Sequence, residues 1–281
     1  MQPLHIQSVD IRSADASHQF VKSLQYTGFA VLHHHPIDTE LVNEVYDQWY
    51  DFFASESKHK FLFHKEKQDG YFPFKSENAK DSEAKDLKEF FHIYPWGRCP
   101  RNLEEKSRKL YRQLVDFSTL LLQWIESEVP KNVSEQFSTP LHKMIEDSPQ
   151  NLMRIIHYPP INKDEDSKSI RAAAHEDINL ITVLCAGTES GLQAQDVGGN
   201  WHDIQCDSGS IAVNTGDMLQ MCSGGFFPST THRVVNPKAT KMDFSRMSMP
   251  LFLHPNDDVV LSENHTAASY LLERLQEIGL K

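Results

Sequence analysis

The chain has few cysteines, no long apolar run and no excess of basic residues. Its 4 cysteines include no Cys-x-x-Cys pair, which argues against a disulfide scaffold and against a zinc–thiolate site. No apolar run approaches the roughly 20 residues that a transmembrane helix needs. The first residues, MQPLHIQSVDIRSAD, also lack the basic and then apolar pattern of a signal peptide. These absences predict a cytoplasmic protein with reduced thiols and no membrane partner.

The charge balance is acidic, with 39 Asp and Glu against 28 Lys and Arg and a net charge of −11. Nucleic-acid binding needs a basic face, so we expect no nucleic-acid partner. The length of 281 residues, with 39% apolar and 24% charged residues, is typical of one large globular domain or two small ones. The 15 histidines are unusually many, and histidine is the commonest metal ligand. The composition therefore prompts a search for a metal site.

Helical periodicity dominates the first half of the chain. It predicts helices from Ala16 to Tyr26, from Asp38 or Thr39 past Phe52, and over about residues 102–128. Residues 29–32 are typical of a short buried strand. The polar stretch 55–88 is predicted to form a long irregular connection.

The second half has short β-type runs separated by Gly, Pro, Asn and Asp. They occupy residues 152–158, 179–185, 210–213, 216–223, 232–236 and 247–254. Because no helices intervene, we expect antiparallel pairing in a sandwich, a jelly roll or a small barrel. Thr266 is predicted to cap a final helix that ends at Gly279.

A His-x-Asp pair, His175 and Asp177, is the first candidate for chemistry. If the segment is a strand, the two side chains share a face and can bind one metal ion. A chain this rich in histidine and aspartate is expected to contain such a pair by chance. His232 completes a set of two imidazoles and one carboxylate, which leaves three positions of an octahedral ion open, as Fe(II) chemistry with O2 requires. The same ligand types also bind catalytic zinc.

An Arg-x-Ser pair, Arg246 and Ser248, favours iron. On a strand the two side chains share a face and present a guanidinium and a hydroxyl to a carboxylate. Phe252 lies on the same face, where it lines the cavity or packs in the core. The adjacent histidines 33–35 alternate faces and so do not converge on a second metal.

The sequence resembles the isopenicillin N synthase-like family of Fe(II)- and 2-oxoglutarate-dependent oxygenases. The segments that carry the resemblance follow the order of that family's motifs. They are GFAVLHHHPI (28–37), GYFPF with KDLKEFFHI (70–93), IIHYPP (155–160), HEDINLITVL (175–184), GLQAQ (191–195), NWHDI (200–204), AVNTGDMLQMCSGGFFPSTTHRVV (212–235) and RMSMPLFLHP (246–255). The chain departs from the family at His34, where Asn is usual, and at Pro36, where Gly is usual.

The resemblance implies three iron ligands: His175, Asp177 and His232. It also implies that Arg246 and Ser248 bind the distal carboxylate of 2-oxoglutarate, that Tyr158 donates to it from the neighbouring strand, and that no catalytic residue acts beyond the metal ligands. The implied fold is mixed α/β with a mainly β core, a double-stranded β-helix (jelly roll) with helices packed around it. Residues 1–281 would form one structural unit: a mostly helical region 1–148 with a few strands, a jelly-roll catalytic core 149–262 and a C-terminal helix 263–281.

The implied activity is that of a non-haem Fe(II)- and 2-oxoglutarate-dependent dioxygenase. Such an enzyme hydroxylates, desaturates or cyclises a small organic substrate with O2 and releases succinate and CO2. Two alternatives remain open at this point: an Fe(II) oxidase of the same fold that uses ascorbate or no added reductant in place of 2-oxoglutarate, and a non-catalytic jelly-roll binding protein.

Overall fold

Two β-sheets face each other and enclose most of the polar residues discussed above. The computed structural model describes residues 5–77, 85–162, 165, 169–238, 240 and 242–277. The twelve strands found there are β1 Ser8–Asp10, β2 Phe29–His33, β3 Gly70–Phe72, β4 Glu89–Ile93, β5 Leu152–Tyr158, β6 Ala172–His175, β7 Ile181–Cys185, β8 Leu192–Gln195, β9 Trp201–Asp203, β10 Ile211–Thr215, β11 His232–Val234 and β12 Arg246–Leu253.

The larger sheet has eight strands in the order β1-β2-β10-β7-β12-β5-β4-β3, and the smaller has four in the order β6-β11-β8-β9. All pairs are antiparallel except β1 with β2. Two apolar clusters fill the space between the sheets, one around Phe29 and Ala194 and one around Phe90 and Tyr158. The architecture is the expected jelly roll, and the fold prediction is confirmed.

Helices cover the outer face of the larger sheet. Their bounds are α1 Ala16–Thr27, α2 Thr39–Ala54, α3 Arg101–Glu128, α4 Lys131–Ser134, α5 Leu141–Met144, α6 Asp217–Cys222 and α7 Ala267–Glu277, with a 3-10 helix at Glu56–Phe61. The apolar stripe of α3 is buried against α1, α2 and the sheet and belongs to the main core. Within the described part of the chain, no helix is both long and apolar enough to cross a membrane.

Local signals account for the helix ends. The Asp38 side chain accepts a hydrogen bond from the Leu41 amide at the start of α2. Gly28 ends α1 in the left-handed region at φ 67°, and its amide donates to the Leu24 carbonyl. The predicted helices at 16–26 and 102–128, and the one that starts at Asp38, are confirmed, as is the start of the last helix after Thr266. Its predicted end at Gly279 lies outside the described residues.

Two predictions of secondary structure are wrong. Residues 216–223 were expected to form a β-type run, but they contain α6, whose buried residues Met218, Leu219 and Cys222 follow helical rather than alternating spacing. The stretch 55–88 is not irregular throughout, because it contains the 3-10 helix and β3, which extends the larger sheet beyond β4. Its residues 78–84 lie outside the described part.

Candidate metal centre

Three side chains from separate segments converge between the two sheets. His175 ends β6, His232 begins β11, and the two residues are direct partners in the antiparallel register. Oδ1 of Asp177 lies 3.9 Å from Nε2 of His175 and 3.7 Å from Nε2 of His232. One ligand atom from each of the three residues lies within 4.8 Å of the others. Atoms at this spacing can share one metal ion.

Asp177 reaches this position from a turn. His175 and Asp177 are predicted to share one face of a strand, but β6 ends at His175 and Asp177 lies beyond it. Oδ2 of Asp177 accepts hydrogen bonds from the Thr182 hydroxyl at 2.5 Å and from Nδ2 of Asn214 at 2.8 Å. The turn itself is held by the Asp217 amide, which donates to the Asp177 carbonyl. The three side chains converge as predicted, but Asp177 does so from the segment after β6 and not from the strand itself.

Both imidazoles are oriented by backbone carbonyls. Nδ1 of His175 donates to the Ala173 carbonyl at 2.7 Å, and Nδ1 of His232 donates to the Thr230 carbonyl at 3.1 Å. A proton on each Nδ1 leaves the lone pair of each Nε2 free for a metal. The Phe29 ring packs edge-on against the His232 ring with centroids 5.6 Å apart. The donor set therefore fits a divalent ion.

The electrostatics of the centre also suit metal binding, which requires neutral imidazole and ionised carboxylate. Burial, together with the neighbouring His232, lowers the pKa of His175 to about 4. Burial opposes ionisation of Asp177, but the two imidazoles and the Asn214 and Thr182 donors outweigh it and hold its pKa below the usual range.

Arg246 and Tyr158 lie side by side on neighbouring strands of the larger sheet. They are direct partners between β12 and β5, and the Arg246 guanidinium carbon is 5.2 Å from the centroid of the Tyr158 ring. Arg246 is 2% exposed; its Nε donates to the Glu189 carbonyl, while its Nη1 is buried without a hydrogen-bond partner. Ser248, also buried, follows two residues later on the same face. A buried guanidinium nitrogen without an acceptor fits a carboxylate ligand.

Space for this guanidinium depends on a glycine. A Cβ on Gly187 would lie 2.8 Å from Nη2 of Arg246 and 3.0 Å from the Met247 carbonyl oxygen. A side chain at position 187 would displace the Arg246 guanidinium.

Sequence reasoning did not identify Arg154. It lies on β5 at alternate spacing from Ile156 and Tyr158, so it shares their face. Its guanidinium carbon lies 4.4 Å from the Phe90 ring centroid and 5.6 Å from that of Phe252. Its Nε donates to Nε2 of His92 at 2.8 Å, and its Nη1 pairs with Glu77 at 3.2 Å. The one sequence signal was a charged residue inside an otherwise apolar strand.

Phe252 connects Arg154 to the surroundings of the candidate metal ligands. Phe252 is the cross-strand partner of Thr182, which holds Asp177, and it lies on the face that carries Arg246 and Ser248. Arg154 is therefore linked to the site through the Phe252 ring, which lies opposite Thr182 in the strand register.

Comparison with known proteins identifies the family. Residues 149–255 match the 2OG-Fe(II) oxygenase superfamily, and residues 4–114 match the N-terminal region of the non-haem dioxygenases of morphine synthesis. A solved structure from Shewanella oneidensis, provisionally described as an oxygenase, is 50% identical, with 98% of this chain and 100% of that chain covered and a TM-score of 0.89. The chain belongs to the 2OG-Fe(II) oxygenase superfamily.

Two further relatives agree. A 2OG-Fe(II) oxygenase family protein from Caulobacter crescentus is 29% identical, covers 97% of this chain and 99% of its own, and has a TM-score of 0.78. A 2-oxoglutarate-Fe(II) type oxidoreductase from Emericella nidulans is 29% identical over 270 residues, which are 86% of this chain and 74% of that protein. The predicted family, the enzyme class and the dependence on Fe(II) and 2-oxoglutarate are confirmed: the chain is a dioxygenase of this type, and a small organic molecule and O2 fit it as substrates.

Proposed function

We propose that three residues of this chain, His175, Asp177 and His232, bind the catalytic Fe(II). The observation that carries the proposal is the approach of their ligand atoms to within 4.8 Å of one another. The hydrogen bonds on the far side of each ligand support it, because such bonds fix ring and carboxylate orientation before metal binds.

We further propose that Arg246, Ser248 and Tyr158 bind the distal carboxylate of 2-oxoglutarate. Arg246 brings a buried positive charge and an unsatisfied Nη1, and both Ser248 and Tyr158 lie on the same interior face. When bound, the iron and 2-oxoglutarate supply oxidation by O2 coupled to loss of CO2 and formation of succinate. The residues of this protein would neutralise the carboxylate, orient the ligands and limit the access of water to them.

The substrate would bind beside Arg154 and Phe252. Arg154 is held rigidly by the rings of Phe90 and Phe252 and by His92, while its Nη2 makes no hydrogen bond with any described residue. A fixed guanidinium edge next to an aromatic ring is suited to a hydrogen-bond acceptor on a small organic molecule that is hydroxylated, desaturated or cyclised.

The proposal assigns the chemistry to residues 149–262 and places the enzyme in the cytoplasm. All six candidate site residues fall within that range, and the four cysteines are free, as expected in a reducing compartment. Residues 1–148 and 263–281 would support this core.

Anaerobic titration tests the assignment. Addition of Fe(II) and 2-oxoglutarate to the wild type is expected to give a metal-to-ligand charge-transfer band in the visible region. Asp177→Ala should abolish the band, and Arg246→Met should shift its midpoint to higher 2-oxoglutarate concentration. A wild type without the band, and without thermal stabilisation by 2-oxoglutarate, would contradict the proposal. Succinate release in air separates it from an oxidase that uses ascorbate.

A further inference from the structure

A second arginine lies next to the proposed cosubstrate site. Arg171 directly precedes β6 and is 1% exposed, which makes it one of the largest fully buried side chains. Its Nη2 donates to the Phe244 carbonyl at 2.8 Å, but its Nε is buried without a hydrogen-bond partner. The Phe244 carbonyl therefore satisfies Nη2 of Arg171, while Nε is left without an acceptor.

Arg171 and Arg246 approach the same aromatic ring. Their guanidinium carbons lie 5.9 Å and 5.2 Å from the centroid of Tyr158. Among the residues that the structure describes, no carboxylate forms an ion pair with either guanidinium, and each has one buried nitrogen without an acceptor. Buried charges are normally paired, because their desolvation is costly. Two buried cations thus lie beside one aromatic ring, and the Glu189 carboxylate offsets the unfavourable environment of Arg171 only in part.

Arg171 keeps its charge at neutral pH. Burial is the main cause that lowers the pKa of Arg171 to about 10, and the neighbouring Arg246 adds to it. A value of this size leaves the guanidinium protonated. Binding of an anion between or beside the two arginines would relieve the repulsion that is present without it.

We propose that Arg171 is a second cationic residue of the 2-oxoglutarate site and that it acts together with Arg246 on the distal carboxylate. This inference rests on the proposed function, in which Arg246 binds that carboxylate. Arg171 is a positioning residue: it strengthens binding through its charge and helps to fix Arg246 and Tyr158, with no direct part in oxidation. It should therefore determine how strongly the enzyme distinguishes a dicarboxylate cosubstrate from a 2-oxo acid with one carboxylate.

The test compares two ligands that differ only in the distal group. 2-Oxoglutarate and 2-oxopentanoate have the same chain length, but 2-oxopentanoate lacks the distal carboxylate. Their dissociation constants are measured by anaerobic calorimetry on the Fe(II)-loaded enzyme, so the readout does not depend on turnover. Arg171→Met, which removes the charge and keeps an extended side chain, should weaken 2-oxoglutarate about tenfold, as for loss of one charge-assisted contact. Its 2-oxopentanoate constant should stay at the wild-type value.

Arg171→Lys and Arg171→Gln separate charge from packing. The lysine variant should retain most of the preference for 2-oxoglutarate, and the glutamine variant should lose it. Equal weakening of both ligands, or an unchanged 2-oxoglutarate constant in the methionine and glutamine variants, overturns the inference. If the methionine variant fails to fold, the lysine and glutamine variants decide the question alone.

The Arg246→Met variant shows whether a negative result concerns only the role of Arg171 or the proposed function as a whole. If Arg246→Met weakens 2-oxoglutarate selectively while Arg171→Met and Arg171→Gln do not, the proposed function stands and only the role of Arg171 is wrong. If Arg246→Met has no effect on 2-oxoglutarate, the assignment of the cosubstrate site is itself wrong.

Discussion

The Thr182 hydroxyl donates to Oδ2 of Asp177 at 2.5 Å, and Asn179 in turn donates to that hydroxyl at 2.9 Å. Because the hydroxyl oxygen of Thr182 accepts a hydrogen bond from Asn179, the hydroxyl proton points at the Asp177 carboxylate. Oδ1 of Asp177 is thereby turned towards the two imidazoles. A residue on β7 thus sets the orientation of a candidate metal ligand that lies beyond the end of β6.

Thr182→Val should weaken metal binding while it preserves the shape of the site. Loss of a hydrogen bond behind a metal ligand typically costs about tenfold or more in affinity. We expect a rise of roughly tenfold in the dissociation constant for Fe(II), measured anaerobically, or for Co(II) as a substitute. Thr182→Ser keeps the hydroxyl and should bind like the wild type. Identical affinities for all three proteins would contradict this role.

Gly187→Ala should impair the cosubstrate site without affecting the metal. The new Cβ would lie against Nη2 of Arg246 and the Met247 backbone, so the guanidinium must move. We expect the KM for 2-oxoglutarate to rise roughly tenfold, as for loss of one charge-assisted hydrogen bond. The Fe(II) dissociation constant is the internal control and should not change. A normal KM would show that the strand and Arg246 adapt to the methyl group.

Arg154→Met should reduce substrate-dependent turnover more than cosubstrate binding. The variant keeps an extended side chain between Phe90 and Phe252 but loses the guanidinium edge. Small molecules that increase succinate release by the wild type would be found first by screening. Their KM values should then increase in Arg154→Met, with 2-oxoglutarate binding retained. An unchanged KM for every such compound would place the substrate elsewhere.

The metal-free protein should lose stability as the pH falls below about 6.5, the ordinary pKa of histidine. Burial lowers the pKa of His92 well below that value and the pKa of His254 to about 4. In the unfolded chain both histidines take up protons near pH 6.5, while in the folded state they remain neutral. The free energy of unfolding therefore decreases from pH 6.5 towards pH 4.

Urea unfolding between pH 7 and pH 5 measures this effect. His254→Asn should flatten the dependence on pH, because the asparagine has no proton to take up. Carboxylates with lowered pKa, such as Glu89, contribute only at lower pH. A wild-type stability that stays constant across this window would refute the prediction.

Gly28→Ala should destabilise the fold more than Gly225→Ala. Both glycines have positive φ, 67° and 82°. A Cβ on Gly28 would overlap Oγ1 of Thr230 and lie 2.8 Å from the Pro228 carbonyl oxygen, whereas a Cβ on Gly225 meets nothing within 4 Å. Backbone strain alone should cost about 1 kcal/mol at Gly225, while strain and overlap together should cost roughly 3 kcal/mol at Gly28. Chemical denaturation measures both values, and equal losses would show that Thr230 yields easily.

Periodicity and motif order predicted the long helices, most strands and the convergence of the three candidate iron ligands. The helices and strands depend on short-range patterns, whereas the convergence of the ligands followed from the order of the motifs that the chain shares with its family. The helix α6 was mistaken for a strand because a segment of six residues is too short for its sequence alone to separate helical from alternating spacing. Arg154 and Arg171 were missed for another reason: their importance arises from neighbours far away in the chain, Phe252 and Tyr158, and only the strand register brings these together.

The edge-on contact of Phe29 with His232 places strand β2 against the segment that carries a candidate iron ligand. Strand β2, which carries Phe29, also pairs with one edge of β10. In a truncated protein that starts after β2, the backbone groups of β10 that pair with β2 would have no partner. The His232 imidazole would also lose its contact with Phe29. Gene fragments limited to the second half should therefore yield aggregated material, and any transplanted version of this centre has to bring its amino-terminal strand along.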